Sequence, residues 1–559
     1  MGFADNSGVM GRRIAVIVAA LVAYGIFVWW MAAPLNIHSP WFWVVLAVFG
    51  WLVRASCCLL LGGDYPEDFA RSSETGDLKQ WFVWTAAAPL VAMFIGWMVS
   101  TPLFATEAYA SRLAPQNATF EEWSDRLTMD GISLMDTESA TIAGNRELGG
   151  LGNVASQFSD SDYWQIVTDD GPRKVSGLQY ASFLKWLNDR GGGTPGYVSV
   201  DPVRQDAQYH ALDEGDGMRY IPGAYMNDKL SRHLWRQYPT AVFGASHLEL
   251  DDDGNPFYVT PSYSFGAGLF GAKDVSQVAV TDPVSGETGM YDVRDVPEWV
   301  DVVYDGDLLD DMYDSYGSLS GGFLNSIFGQ SGCTRTGGDY GYVAIDGEQW
   351  IYTGVTSMGD DASNVGFLLA SERTKESYFI PMSSADEESA MKSAEGEVQQ
   401  YGYTASFPSL VAVDGTPTYV MVLKDDSGIV KMYAMVNAES YNVVACGDTL
   451  SSVKSDYEDA LDRAGVERTA DGQEMPSVSA DGKDEGGGKA AVGFDTTVDM
   501  VMMADSGGDT YAYVLGKDGV TYRAKFSEFP SRLMSLSEGD AWKGTASEAK
   551  DVSEVVTLD

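Results

Sequence analysis

WFVWTAAAPLVAMFIGWMVSTPLFAT, residues 81–106, runs for twenty-six positions without a charged side chain. About 20 apolar residues are enough to cross a hydrocarbon core of roughly 30 Å. Upstream, residues 14–53 contain no Asp, Glu, Lys or Arg, and Pro34 and Pro40 divide that run into 14–33 and 41–61. Trp29, Trp30, Trp41 and Trp43 flank the division, as an aromatic belt at one interface would. The pattern predicts a membrane anchor over 1–106 with three transmembrane helices, at about 14–33, 41–61 and 81–105. The apolar cores exceed that of a cleaved signal peptide.

Orientation follows from Lys and Arg near the membrane ends. Arg12 and Arg13 precede the first segment, Arg71 and Lys79 precede the third, and residues 34–40 have none. Arg54 snorkels towards the same side as Arg71. The N-terminus is therefore expected in the cytoplasm, with residues from about 107 onward outside the plasma membrane.

That outer part holds nearly all the charge. The chain carries −44, and beyond residue 105 there are 31 Lys and Arg against 74 Asp and Glu. Such a surface repels phosphate backbones, which excludes nucleic-acid binding. Frequent Trp, Tyr and Phe exclude a disordered acidic tail.

Four passages of the outer part place Asp-Gly in a turn: Asp170-Gly171, Asp253-Gly254, Asp346-Gly347 and Asp414-Gly415. Asp-Gly bounded by β-branched and aromatic residues marks a hairpin, because glycine accepts the positive φ required. Each is followed by a second strand pair, at 197–210, 278–293, 367–380 and 433–444. Helices at 181–190, 228–238, 385–402 and 450–464 come between or after these pairs. The expectation is an α+β fold of four divergent repeats: 107–245 as a first module, 246–340 as a second, and 341–465 for the third and fourth. A polar, Gly-rich linker (466–493) and a small β-barrel (494–559) complete the chain.

VAVTDPVSGETGMYDV (278–293) and YVSVDPVRQDAQYH (197–210) resemble PepSY-type modules, small α+β domains of exported bacterial proteins. GGFLNSIFGQ (321–330), YTGVTSMGDDASNVGFLL (352–369) and VKMYAMVNAESYNVVACG (430–447) resemble an uncharacterised family of membrane-anchored Gram-positive proteins. The first resemblance implies binding, and neither carries a catalytic residue across.

Catalytic and cofactor signals fail on their context. Gly266-Ala267-Gly268-Leu269-Phe270-Gly271 matches GxGxxG, but a strand resumes by Gln277 and leaves no room for the helix a dinucleotide needs. Glu249 to Gly254 opens like a calcium loop, yet Thr260 stands where the closing glutamate belongs. Asp301, Asp305, Asp307, Asp310, Asp311 and Asp314 read as a solvated helix face. Ser318 and Ser320 miss GxSxG, and Ser246 is merely adjacent to His247. His210, His233 or His247 could still meet a distant serine in space. No cofactor and no metal are expected, and Cys333 and Cys446 could form one disulfide in an oxidising compartment.

Lys229, Arg232, His233 and Arg236 stand at i, i+3, i+4 and i+7, so one helix face is basic. This is the expected partner-binding site, for an envelope protein or an anionic polymer. The functional expectation is a membrane-anchored, extracytoplasmic binding or scaffolding protein of the cell envelope, non-enzymatic. An envelope hydrolase and a sensor or transport accessory stay open as alternatives.

Overall fold

The structure is a computed structural model. It describes residues 4–61, 87–189, 191–213, 215–358 and 363–466, and near the C-terminus 492–506, 509–517, 520–525, 529, 532–533, 536, 540–548 and 553–558. The expected linker, the basic loop with Arg71 and Lys79, and residues 81–86 lie outside the described residues. The chain divides into two compact units, Met1–Pro476 and Ser477–Asp559.

The N-terminal region begins with α1 (Ala4–Met31) and α2 (Pro40–Leu61). Next come α3 (Ala87–Val99) and α4 (Pro102–Ala110). Among the described residues one helix is long and apolar enough to cross a membrane, Met10–Met31. The stretch Pro40–Ser56 of α2 falls short, and α3 bends by 57° into α4, so that pair passes only if both arms count as one span. The expected anchor of three spanning helices is corrected accordingly. The cause is local: Pro102 starts a new helix just past Val99, and the Ser100 hydroxyl bonds back to Gly96 O at 2.6 Å.

Beyond α4 the first unit is built from four sheets, each holding an antiparallel meander of four consecutive strands; short further strands extend all but the second, and one of them, Gln116–Asn117, runs parallel to the last strand of the third. After α5 (Thr137–Gly150) the first comprises β1 (Trp164–Thr168), β2 (Gly171–Tyr180), β3 (Gly196–Val200) and β4 (Ala207–Ala211), with α6 (Phe183–Asp189) between β2 and β3. Then α7 (Leu230–Gln237) leads to β5 (His247–Leu250), β6 (Pro256–Ala267), β7 (Gly271–Thr281) and β8 (Thr288–Asp292). Next α8 (Gly306–Leu319) precedes β9 (Gly341–Ile345), β10 (Glu348–Ser357), β11 (Ser363–Ser371) and β12 (Ser377–Ala385). Finally α9 (Glu387–Glu397) precedes β13 (Ser409–Val413), β14 (Thr416–Lys424), β15 (Val430–Asn437) and β16 (Val444–Gly447), and α10 (Leu450–Ala464) covers β15 and β16.

The turns explain the register. Asp346-Gly347 and Asp414-Gly415 both have positive φ at each residue (55° and 82°; 49° and 73°), the two-residue turn whose twist suits a hairpin. The unit is thus a four-stranded meander, in place of the expected hairpin-and-helix repeat.

The meanders pack in a ring. Leu178, Val198, Leu248 and Tyr258 join the first to the second. Val259, Val278, Ile351 and Leu368 join the second to the third, while Trp350, Phe367, Tyr419 and Met421 join the third to the fourth. Trp350 and Ile351 feed different cores because successive strand residues face opposite ways. Gln205 reaches the Tyr433 hydroxyl at 3.1 Å and Lys424 pairs with Asp136, which closes fourth on first. Strand β13 is wholly buried, whereas β4 and β8 at sheet edges have no buried residue. The first unit is thus a mixed arrangement of four largely antiparallel sheets with covering helices. Burial of each such large apolar side chain stabilises by about 1.5–3 kcal/mol.

The second unit, taken by itself, has β17 (Val492–Ser506), β18 (Asp509–Gly516), β19 (Thr521–Lys525), β20 (Ala541–Glu548) and β21 (Ser553–Leu558). Each pairs with two neighbours, in the circular order β17-β18-β19-β21-β20, around Trp542 and Val514.

Candidate functional site

The basic face of α7 is where the N-terminal helices dock. Arg232 is 5% exposed, with its guanidinium 4.8 Å from the Trp29 ring centre and 4.7 Å from that of Trp30. It also donates to Met226 O at 2.9 Å. Trp29 Nε1 donates to Asn227, Trp235 Nε1 to Ala33 O, and Leu35 N to Pro239 O. His233 Nε2 lies 2.7 Å from Gly286 O, which ties α7 to the turn between β7 and β8. Lys229 is half-buried, and Arg236 alone of the four is exposed. The expected free contact surface is therefore corrected: Arg232 is covered by the protein's own tryptophans.

A second tie lies at the β6–β7 hairpin tip, the glycine-rich bend 266–271. Leu269 N and Phe270 N both donate to the Ser100 hydroxyl at 2.9 Å. His38 Nδ1 lies 2.7 Å from Leu269 O, and its ring stacks on Phe265. Downstream of α4, buried Arg112 bonds Asp311, Ser315 and Lys273 O.

The candidate ligand site is a cavity of about 210 Å³ between the first and second meanders. Trp164 from β1, Leu178 and Gln179 from β2, His247 from β5 and Tyr258 from β6 line it, with Asp162 exposed among its lining residues. His247 and Glu249 stand two apart on β5 and so share a face. His247 Nε2 is 2.7 Å from Glu249 Oε1, and that carboxylate also accepts from Asp301 N at 2.7 Å and Val302 N at 3.0 Å. Glu249 thus gathers the imidazole Nε2 and two backbone N–H groups on one carboxylate. Trp164 stacks on the imidazole at 4.7 Å and fixes its plane.

Tyr258 is buried, and burial pushes its hydroxyl well above the ordinary phenol range, so it stays protonated. That hydroxyl has no hydrogen-bond partner among the described residues. Behind Glu249, burial and then the Glu249 charge push the Asp301 carboxyl well above the usual carboxylate range, although Val167 N donates to it at 2.6 Å. Burial does the same to Glu372, with Asp305, Asp301 and Glu249 adding to it.

The remaining candidates resolve locally. Among the described residues no group of His, Cys, Asp and Glu could hold a metal ion. Asp251 caps its own turn by accepting from Asp253 N and Asn255 N. Asp305 caps α8, Asp307 accepts from Tyr340, Asp311 pairs with Arg112, and Asp314 accepts from Thr336 N. His210 Nε2 meets Ser199 Oγ at 2.7 Å, but no acid hydrogen-bonds the imidazole among the described residues. Ser318 and Ser320 bond back into α8. The expected disulfide is corrected too: Cys333 is buried near Ser318 and Cys446 sits on β16 beside Ala394, and both are free thiols. Sequence reasoning missed Trp164 and Tyr258, and read Glu249 as the opening of a calcium loop without pairing it with His247. The i, i+2 spacing of His247 and Glu249 on an expected strand was the available signal for the pair.

No family model matches the chain, and no curated protein matches it significantly. Among solved structures, a levansucrase mutant of B. megaterium aligns over 81% of this chain and 97% of its own at 10% identity, with a TM-score of 0.20. A score that low carries no argument about fold or function.

Proposed function

We propose that the chain is a membrane-tethered binding protein of the bacterial cell envelope, its body outside the membrane, which takes a small polar solute beside His247. The observation that carries this reading is a cavity with polar residues in its lining. His247, held by Glu249, lines it beside Gln179 and Ser246, and Tyr258 adds a hydroxyl with no hydrogen-bond partner among the described residues. Buried polar groups cost free energy unless bonded, so a polar ligand fits. The volume lies below the ~300–1,000 Å³ of pockets for drug-sized molecules, which keeps the solute small.

Location rests on Met10–Met31, on the −43 carried beyond residue 105, and on the resemblance to membrane-anchored Gram-positive proteins. The PepSY-like motif supports binding. The His247–Glu249 pair is also what a hydrolase uses to orient a general base. No hydroxyl hydrogen-bonds His247 among the described residues, so no nucleophile is in place and binding is preferred.

Native mass spectrometry of the full chain, purified from its own membrane, tests the proposal beside His247→Leu and Tyr258→Phe. A discrete small-molecule adduct in the wild type, lost from His247→Leu at unchanged melting temperature, supports it. Identical spectra for all three proteins would overturn it.

A further inference from the structure

Beyond the cavity, we infer that the body of the first unit rests on the bilayer, inserting two apolar patches into the interfacial layer beside the end of α1. This rests on α1 being a membrane span.

The first patch is on α6. Phe183, Leu184 and Leu187 are exposed there, with Leu184 at 68%, although Trp186 on the same short helix is buried. A helix that buries one apolar side and exposes another expects a second apolar medium. Contacts place that medium. Phe183 packs edge-on against Tyr225 at 5.3 Å, and the next residue, exposed Met226, offers its carbonyl to Arg232. Arg232 is the residue between Trp29 and Trp30. The patch is therefore continuous with the end of α1, where two tryptophans suit an interface.

The second patch follows α8. The one-turn helix Asn325–Gly329 exposes Ile327 (52%) and Phe328 (83%), and Leu324 just before it is 69% exposed. Leu113 packs among Leu308, Leu309 and Met312, while Arg112 bonds Asp311 and Ser315 further along α8. Followed backwards from residue 113, the chain thus runs towards the end of α8, and α4 packs along it. Exposed Leu103 and Phe104 open α4, three residues past Ser100, which holds the β6–β7 tip against the α1–α2 turn. Both patches flank the helix–body junction.

The occupant is a lipid surface. Interfacial insertion buries such side chains ~5–10 Å below the headgroups. The attraction is apolar, because an outer part of net −43 gains nothing from anionic lipid.

The test uses the full chain in phosphatidylcholine nanodiscs, with an environment-sensitive fluorophore on Leu184→Cys, Phe328→Cys, Ser451→Cys or Val18→Cys in a background of Cys→Ser at the four native cysteines. Quenchers sit on lipid chains near the headgroup or at mid-chain. Labels at 184 and 328 should be quenched at least about twofold more by the shallow quencher than the label at 451 on α10. Val18, on α1, should respond to the deep quencher. If Val18 responds and 184 and 328 match 451, the surface contact is wrong while the span stands. If Val18 does not respond, the span and this inference fall together.

Discussion

The Arg232 guanidinium lies 4.8 Å from the ring centre of Trp29, and this one relationship turns an apparent partner site into an internal joint. Just over two hundred positions separate them in the chain. Arg232→Ala removes two cation–π contacts and the bond to Met226 O, so unfolding should be easier by about 1–3 kcal/mol. Arg236→Ala, on the exposed side, should change little. Thermal unfolding followed by tryptophan fluorescence separates the two, and equal effects would contradict the joint.

Glu372 gives a signed pH test. Its carboxyl is raised well above the ordinary range by burial and neighbouring acids, and its Oε2 has no partner among the described residues. Stability from a raised acid is full below its unfolded pKa and is lost as pH rises through the folded value, by about 1.4 kcal/mol for each tenfold difference in proton affinity between the folded and unfolded chain. Glu372→Gln should therefore raise the melting temperature at neutral and alkaline pH and lose that advantage at acid pH. A constant difference across pH would count against it.

Asp136 runs the other way. Burial raises its carboxyl, but Lys424 and the Ser139 N–H outweigh that and hold it below the usual range. Its contribution is present above the unfolded pKa and lost as pH falls through the folded one. Asp136→Ala also removes the cap of α5, so about 1–2 kcal/mol should go at neutral pH. The gap to wild type should close in acid, and a gap that stayed open would refute the assignment.

How much of this was legible is uneven. The Asp346-Gly347 and Asp414-Gly415 turns and the strand pairs after them are local, and positive φ at aspartate and glycine follows from the residues themselves. Helical spacing likewise puts Arg232 and Arg236 on one helix, but spacing says nothing of what lies opposite, and Trp29 and Trp30 arrive from another part of the chain. The break at Ser100–Pro102 is written in the proline, yet the run stays apolar across it and so reads as one span. His247 and Glu249 share a face by strand period, whereas Tyr258 and Trp164 reach the same cavity only through packing of two meanders.

The free thiols offer a quick check on that packing. Burial, helped by Glu397, pushes Cys446 up to about 12, and Cys333 is buried. Neither should react readily with a maleimide at neutral pH in the folded protein, and both should react after unfolding without reductant. A Cys333–Cys446 peptide in a non-reducing digest would contradict the arrangement.

The measurement that bears most directly on the proposed function is an experimental density map of the full chain purified from its native membrane. Density for a small non-protein molecule is expected in the cavity, beside His247 and Tyr258. Isolated water peaks there, unchanged in His247→Leu, would contradict it.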